Sequence, residues 1–279
     1  MKTLSVAFLI VLSFLSFSCK KKKGCTDPYS FNYSKDAEVN DGSCQDMGSC
    51  LGYAGGMNNS GTVGVSFYNS YYDQKMVEEI AIQRQFFQDI PANVYVLYEP
   101  SVEMKNAYAS SDGNIYFGYH LLYYTVQMYG ELPVAGVLAH EWGHRTQQII
   151  GWNDYYKAEH KELEADAFSG FYMALAKQWA WERIEGFFQN VYASGNYLFN
   201  SPNFHGTPDQ RLASANLGVT TAVYALQHGI QYSYNELHQI FFGEISTNIA
   251  HRSTGRNYHE VIYPENMSEQ YIKSLFPKR

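Results

Sequence analysis

The residues most able to do chemistry lie together in the middle of the chain, at His140-Glu141-Trp142-Gly143-His144. They belong to an apolar-periodic segment over residues 133–150, with Pro133 at its start and Gly151 just past its end, as helix boundaries require. Residues four apart share one face of a helix, so His140 and His144 can turn their imidazoles to one tetrahedral metal. Glu141 is rotated by about 100° from His140 and falls beside that metal, where a general base would take a proton from water. A catalytic zinc site needs a third protein ligand and keeps a fourth position open. Glu162-Leu163-Glu164-Ala165-Asp166, on a following helix, supplies candidates. Glu162 and Asp166 share a face, whereas Glu164 lies about 200° round from Glu162 and points elsewhere. The assignment is Glu162 as third ligand and Asp166 as the carboxylate that orients a ligand histidine through a hydrogen bond. His160 is a rival ligand, but it lies off that face. Two histidines, one carboxylate and an open position favour Zn2+. A structural zinc site would use four protein ligands and much cysteine, and no cysteine is near. A bare HExxH arises by chance in on the order of 1% of chains this long; the paired-carboxylate helix makes coincidence far rarer than that.

The stretch from Gly136 through His140-Glu141-Trp142-Gly143-His144 to Gln147-Gln148 resembles the bacterial neutral zinc metallopeptidases, which carry HExGHxxQ. Their ELxADxFxG element is similar to Glu162-Leu163-Glu164-Ala165-Asp166-Ala167-Phe168-Ser169-Gly170, and their HGTxxQR element to His205-Gly206-Thr207-Pro208-Asp209-Gln210-Arg211. The three motifs stand in the family's order and span roughly residues 106–217. The layout is also similar to the gluzincins that include the CAAX prenyl proteases, whose ExxAD glutamate is the third ligand; the likeness implies the same for Glu162. The membrane spans of those proteases are absent here. Ala167 departs from the family, which often has cysteine there. The resemblance implies zinc-dependent peptide-bond hydrolysis, with Glu141 as base and His205 as a catalytic donor to the oxyanion. Such a donor is typically worth about 10²–10³ in rate. The alternative for His205 is a cap on the helix that starts at Thr207-Pro208. Arg211 either pairs with an acidic partner in the core or orients His205.

The elements that must position these residues can be read around them. Residues 72–89 have helical spacing, residues 94–98 read as a strand after Pro91, and residues 106–108 and 114–117 read as two strands about the Asp112-Gly113 turn. By analogy with other zincins, residues 114–117 are expected to form an edge strand for an extended peptide, the alternative being an internal strand. From residue 132 onward the chain reads mostly helical, with a capping box at Ser233 and Glu236 and a further helix start at Ser268. The expected fold is α+β: a zincin-like metallopeptidase domain with a small sheet and a mainly helical half carrying the metal site.

The N-terminus points to export. Lys2 precedes an apolar run over residues 4–17, the length of a signal-peptide core and short for a membrane span. Ser16-Phe17-Ser18-Cys19 resembles a bacterial lipobox, with Ser16 where Leu or Val is usual; an ordinary signal peptide with Cys19 as a thiol is the other reading. Residues 1–18 are read as signal peptide, 19–50 as lipidated tether and Cys-bracketed module, and 51–279 as the zinc metallopeptidase domain, with residues 45–64 a linker and folded structure starting near 65. Cys25 and Cys44 bracket a segment that resembles a short GCTDP…NY…DGSC module of exported bacterial proteins. A Cys25–Cys44 disulfide is the reading that follows in an oxidising compartment, and Cys50 is left over. Asp36, Asn40 and Asp41 either offer oxygens to calcium or serve turns.

The chain has 279 residues, a formal net charge of −7 and no basic stripe outside the N-terminal lysines, so nucleic acid is excluded as a partner. The expected protein is a lipid-anchored, zinc-dependent endopeptidase of the bacterial cell envelope, acting on a peptide or protein and touching the membrane through its N-terminal lipid. The alternatives are a surface binding lipoprotein that keeps an inactive metal site, and a calcium- or glycan-binding surface lipoprotein in which the Cys module and the 25 tyrosines do the work. Against the first stands the intact base Glu141.

Overall fold

The computed structural model describes residues 61–151, 157–177, 181–195 and 204–250, together with 21–24, 26, 34, 36–41 and 43. Cys19, Cys25, Cys44 and Cys50, the signal segment and the helix start at Ser268 lie outside the described residues. Near the N-terminus two short strands, β1 (Lys23–Gly24) and β2 (Val39–Asn40), pair in parallel. Asp36 pairs there with Lys22 at 3.3 Å, and Asp41 accepts from the Ser43 amide at 3.0 Å, which is turn chemistry.

Beyond residue 60 the fold is mixed α+β. A four-stranded sheet of β3 (Thr62–Gly64), β4 (Asn93–Tyr98), β5 (Ala107–Ala109) and β6 (Asn114–Gly118) runs in the order β3-β4-β6-β5. β4 and β6 are parallel, with Tyr95 opposite Tyr116, while β3 and β5 flank them antiparallel. β6 is therefore an internal strand, and the expected edge over residues 114–117 is corrected: the edges are β3 and, beyond β6, β5. The turn at Asp112-Gly113 reverses the chain as read, but the pairing then continues on to β4, because β4 and β6 both bury apolar side chains on one face. Val96, Ala107, Ala109, Ile115 and Phe117 are buried there. On the other face Tyr95, Tyr116 and Tyr108 stack across three strands at 5.8 and 4.9 Å. β3 lies inside the stretch read as linker, so folded structure begins before residue 65. Gly64 passes so close to the Tyr98 ring that a side chain would collide with it.

Among the described residues seven α-helices follow or interleave: α1 (Ser70–Phe86), α2 (Tyr119–Tyr129), α3 (Leu132–Ile150), α4 (Ala158–Ala176), α5 (Trp181–Ala193), α6 (Pro208–His228) and α7 (Tyr234–Glu244), the last continued by a π-helical turn at Ile245–Ile249. α1 begins at the Asn69 side chain, which accepts from the amides of Tyr71 and Tyr72, and stops short of Pro91, which bars helix. α3 has Pro133 in its first turn and ends on Gly151 in the left-handed region, as its sequence predicts. It is buried almost all round, the mark of a central helix. Trp142 anchors it, donating to the Ile90 carbonyl at 2.9 Å and stacking on Phe87 at 5.8 Å. Among the described residues no helix is long and apolar enough to cross a membrane.

Two contacts between helices decide where the chemistry falls. At Gly143 an added Cβ would lie 3.0 Å from the Ala165 Cα, so α3 and α4 approach closely with the histidines facing the carboxylates. At Gly218 of α6 an added Cβ would run into the Ala167 carbonyl of α4. These helices pack backbone on backbone, which only the absence of a side chain permits.

Candidate metal centre

α3 and α4 bring His140, His144 and Glu162 together with one ligand atom from each, all within 4.8 Å of one another. His140 Nε2 lies 3.4 Å from Glu162 Oε2 and His144 Nε2 lies 3.5 Å from Glu162 Oε1. The two imidazoles sit 4.6 Å apart, nearly perpendicular, as the i and i+4 spacing predicts. All three side chains are buried, Glu162 to 1% exposure.

The outer nitrogens of both rings are fixed. His140 Nδ1 donates to Asp166 Oδ1 at 3.0 Å. Asp166 in turn accepts from Arg211 at both oxygens, through Nε and through Nη2, the latter at 2.9 Å. His144 Nδ1 donates to Gln147 Oε1 at 2.9 Å. The Gln147 amide cannot be turned round, because its Nε2 donates to the Lys161 carbonyl at 2.7 Å and to Glu164 Oε2 at 2.9 Å. Glu164 also accepts from His238 Nδ1 of α7 at 2.7 Å. Both imidazoles therefore carry their fixed proton on Nδ1 and present Nε2 inward, the form that a metal would require.

The residues fit a metal ion. His140 Nε2 and His144 Nε2 are buried with no hydrogen-bond partner. Such orphaned atoms are costly, and one ion bound by both together with Glu162 removes the cost. Burial works against charge on His140, but Asp166 and Glu162 outweigh it and raise its pKa to about 9. A proton and a metal compete for that nitrogen. Burial also works against ionised Glu162, yet His205, His144 and His140 hold it well below the usual carboxylate range. Arg211 is buried and held charged by Asp166 and Glu162 against the pull of burial.

Glu141 is fully buried beside the cluster, and burial raises its pKa, offset in part by His140 and His144. His205 arrives on the loop before α6, with Nδ1 3.3 Å from Glu162 Oε1. It does not cap α6: Thr207 does, accepting from the Gln210 amide while Gln210 Oε1 accepts from the Thr207 amide at 2.7 Å. His160 is not in the cluster; its ring meets Phe242 edge-on at 6.0 Å. Arg211 takes the acidic core partner, Asp166. Ala167 packs its carbonyl against Gly218.

Sequence reasoning gave no role to Gln147, Glu164 and His238. Gln147 had a signal, three residues after His144 on one helix face. His238 had none. Comparison with family models, with curated proteins and with solved structures finds no match to this chain.

Proposed function

We propose that the chain is a zinc-dependent peptidase of the gluzincin type, similar to the bacterial neutral zinc metallopeptidases, and that it is exported and held at the cell envelope by lipid on Cys19. The observation that carries the peptidase reading is the pair of inward-facing, unpartnered Nε2 atoms of His140 and His144, converging on Glu162 with Glu141 alongside. Three protein ligands without cysteine are the pattern of a catalytic rather than a structural zinc site, which takes four. Zinc, when bound there, supplies the Lewis acidity for carbonyl polarisation and water activation.

The chain's own residues do the rest. Asp166 and Gln147 keep the two imidazoles in the ligating form. Glu141, held in a buried place where its proton affinity is raised, takes a proton from water and returns it to the leaving amine. His205, at the rim of the cluster, donates to the oxygen that gains charge. β5, the outer strand of the sheet beside α3, offers a rail for an extended peptide.

The test is metal content and peptide cleavage for the wild-type chain beside Glu141→Ala. One zinc per chain in both, with cleavage in the wild type alone, is the expected result. Zinc in both with cleavage in neither would sink the peptidase and favour a binding role; no metal in either would sink the metal centre.

A further inference from the structure

A second site lies outside the metal cluster. An open cleft of about 650 Å³ runs between the end of α1, the start of β4, the β5–β6 turn and α3. Its polar walls carry Arg84, Arg145, Asn93 and Asn114, with Phe87 and Pro91 as apolar floor. None of these is a metal ligand.

Arg145 is the unusual member. It is 8% exposed, and its guanidinium bonds only to neutral oxygens: Nη1 to Gln148 Oε1, and Nη2 to the Pro91 carbonyl at 3.3 Å. Its Nε is buried with no hydrogen-bond partner. A buried charge is normally paired, and among the described residues no carboxylate comes within ion-pair distance of Arg145. Asp112 lines the same cleft and acts on Arg145 through space, but it makes no ion pair with it, and its oxygens accept from the Asn114 amide at 3.0 Å, Asn114 Nδ2 at 2.9 Å and the Tyr116 hydroxyl at 3.1 Å. Arg84 adds a second cation from α1, with only a 3.4 Å contact to the Ala92 carbonyl. Arg84 and Arg145 line the cleft with a single carboxylate, Asp112, so the recess keeps a net positive charge on a chain of net charge −7. The guanidinium fork matches the paired oxygens of a carboxylate or phosphate.

We propose that this cleft binds an oxyanion, a carboxylate or a phosphate, carried on a ligand whose apolar part lies against Phe87 and Pro91. The site does not depend on the peptidase reading. Titration calorimetry on the full chain with N-acetyl-leucine, N-acetyl-leucine amide and inorganic phosphate tests it. The acid or phosphate, or both, should bind, and the amide should not; which of the two binds more tightly identifies the source of the oxyanion. Arg84→Glu, an exposed change, should weaken binding at least about tenfold, the scale of one charge-assisted contact. Arg145→Lys should weaken it several-fold with the metal content unchanged. Equal binding of acid and amide, no binding of any of the three, or affinity indifferent to Arg84→Glu would overturn the proposal; the last would place the anion elsewhere, the metal cluster included.

Discussion

His140 and His144 are held in place by two different devices. His140 leans on a buried carboxylate that is itself clamped by Arg211, whereas His144 leans on a neutral amide that is clamped by Glu164 and, behind it, His238. Asp166→Asn should therefore lower metal affinity about 10–100-fold, read by competition with a chromophoric chelator; unchanged affinity would mean that Asp166 does not orient His140. Gln147→Ala should act in the same direction, and His238→Ala more weakly, because it acts through Glu164. Arg211→Ala leaves Asp166 and Glu162 buried without their cation, so it should cost about 3–5 kcal/mol of stability, measured by urea unfolding. That His140, His144 and Glu162 would come together was legible in the sequence, because one helix sets the i, i+4 spacing and a second sets Glu162 and Asp166 on a common face. The partner of Arg211 was left open between two readings, and His238 was invisible. Its bond to Glu164 spans 74 residues and exists only because α7 packs on α4.

At the scale of elements, the contact between α4 and α6 sets the position of Arg211. Gly218→Ala would press a methyl group into the Ala167 carbonyl, and overpacking of this kind costs typically about 1–3 kcal/mol. The expected result is a lower melting temperature together with weaker metal binding, since Asp166 and Arg211 move apart; a wild-type melting curve would show that the helices can separate freely. Most elements near the candidate metal centre were legible from periodicity and turn residues. α2 was not read from the sequence. It is rich in aromatic residues, which favour helix weakly, and Gly118 at its N-cap offers no side chain. The cap comes instead from Glu99, which accepts from the His120 amide at 2.9 Å across 21 residues. The edge of the sheet was misplaced for a related reason: a hairpin signal tells which strands are joined but not that β4 pairs on the far side of β6.

For the whole molecule, two buried groups give the metal-stripped chain a pH dependence. His140 is raised from 6.5 to about 9 in the fold, so its proton stabilises the folded state fully below about pH 6.5, and that contribution is lost as pH rises through 9. Glu164, raised from 4.5 to about 7 by burial, holds a proton in the fold that the unfolded chain has released, so stability again falls as pH rises across that window. Chelator-treated protein should melt at a lower temperature at pH 9 than at pH 6, while metal-loaded protein, having exchanged the His140 proton for the ion, should show a wider gap over the stripped form at the higher pH. Equal melting temperatures of the stripped protein at both would contradict the burial of these groups. The depth of the cluster carries a further consequence for supply. With His140, Glu162 and Asp166 at 0–1% exposure and the His205 side chain at 15%, an ion taken up by the cluster would enter and leave, and a substrate would approach, past His205 rather than between α3 and α4.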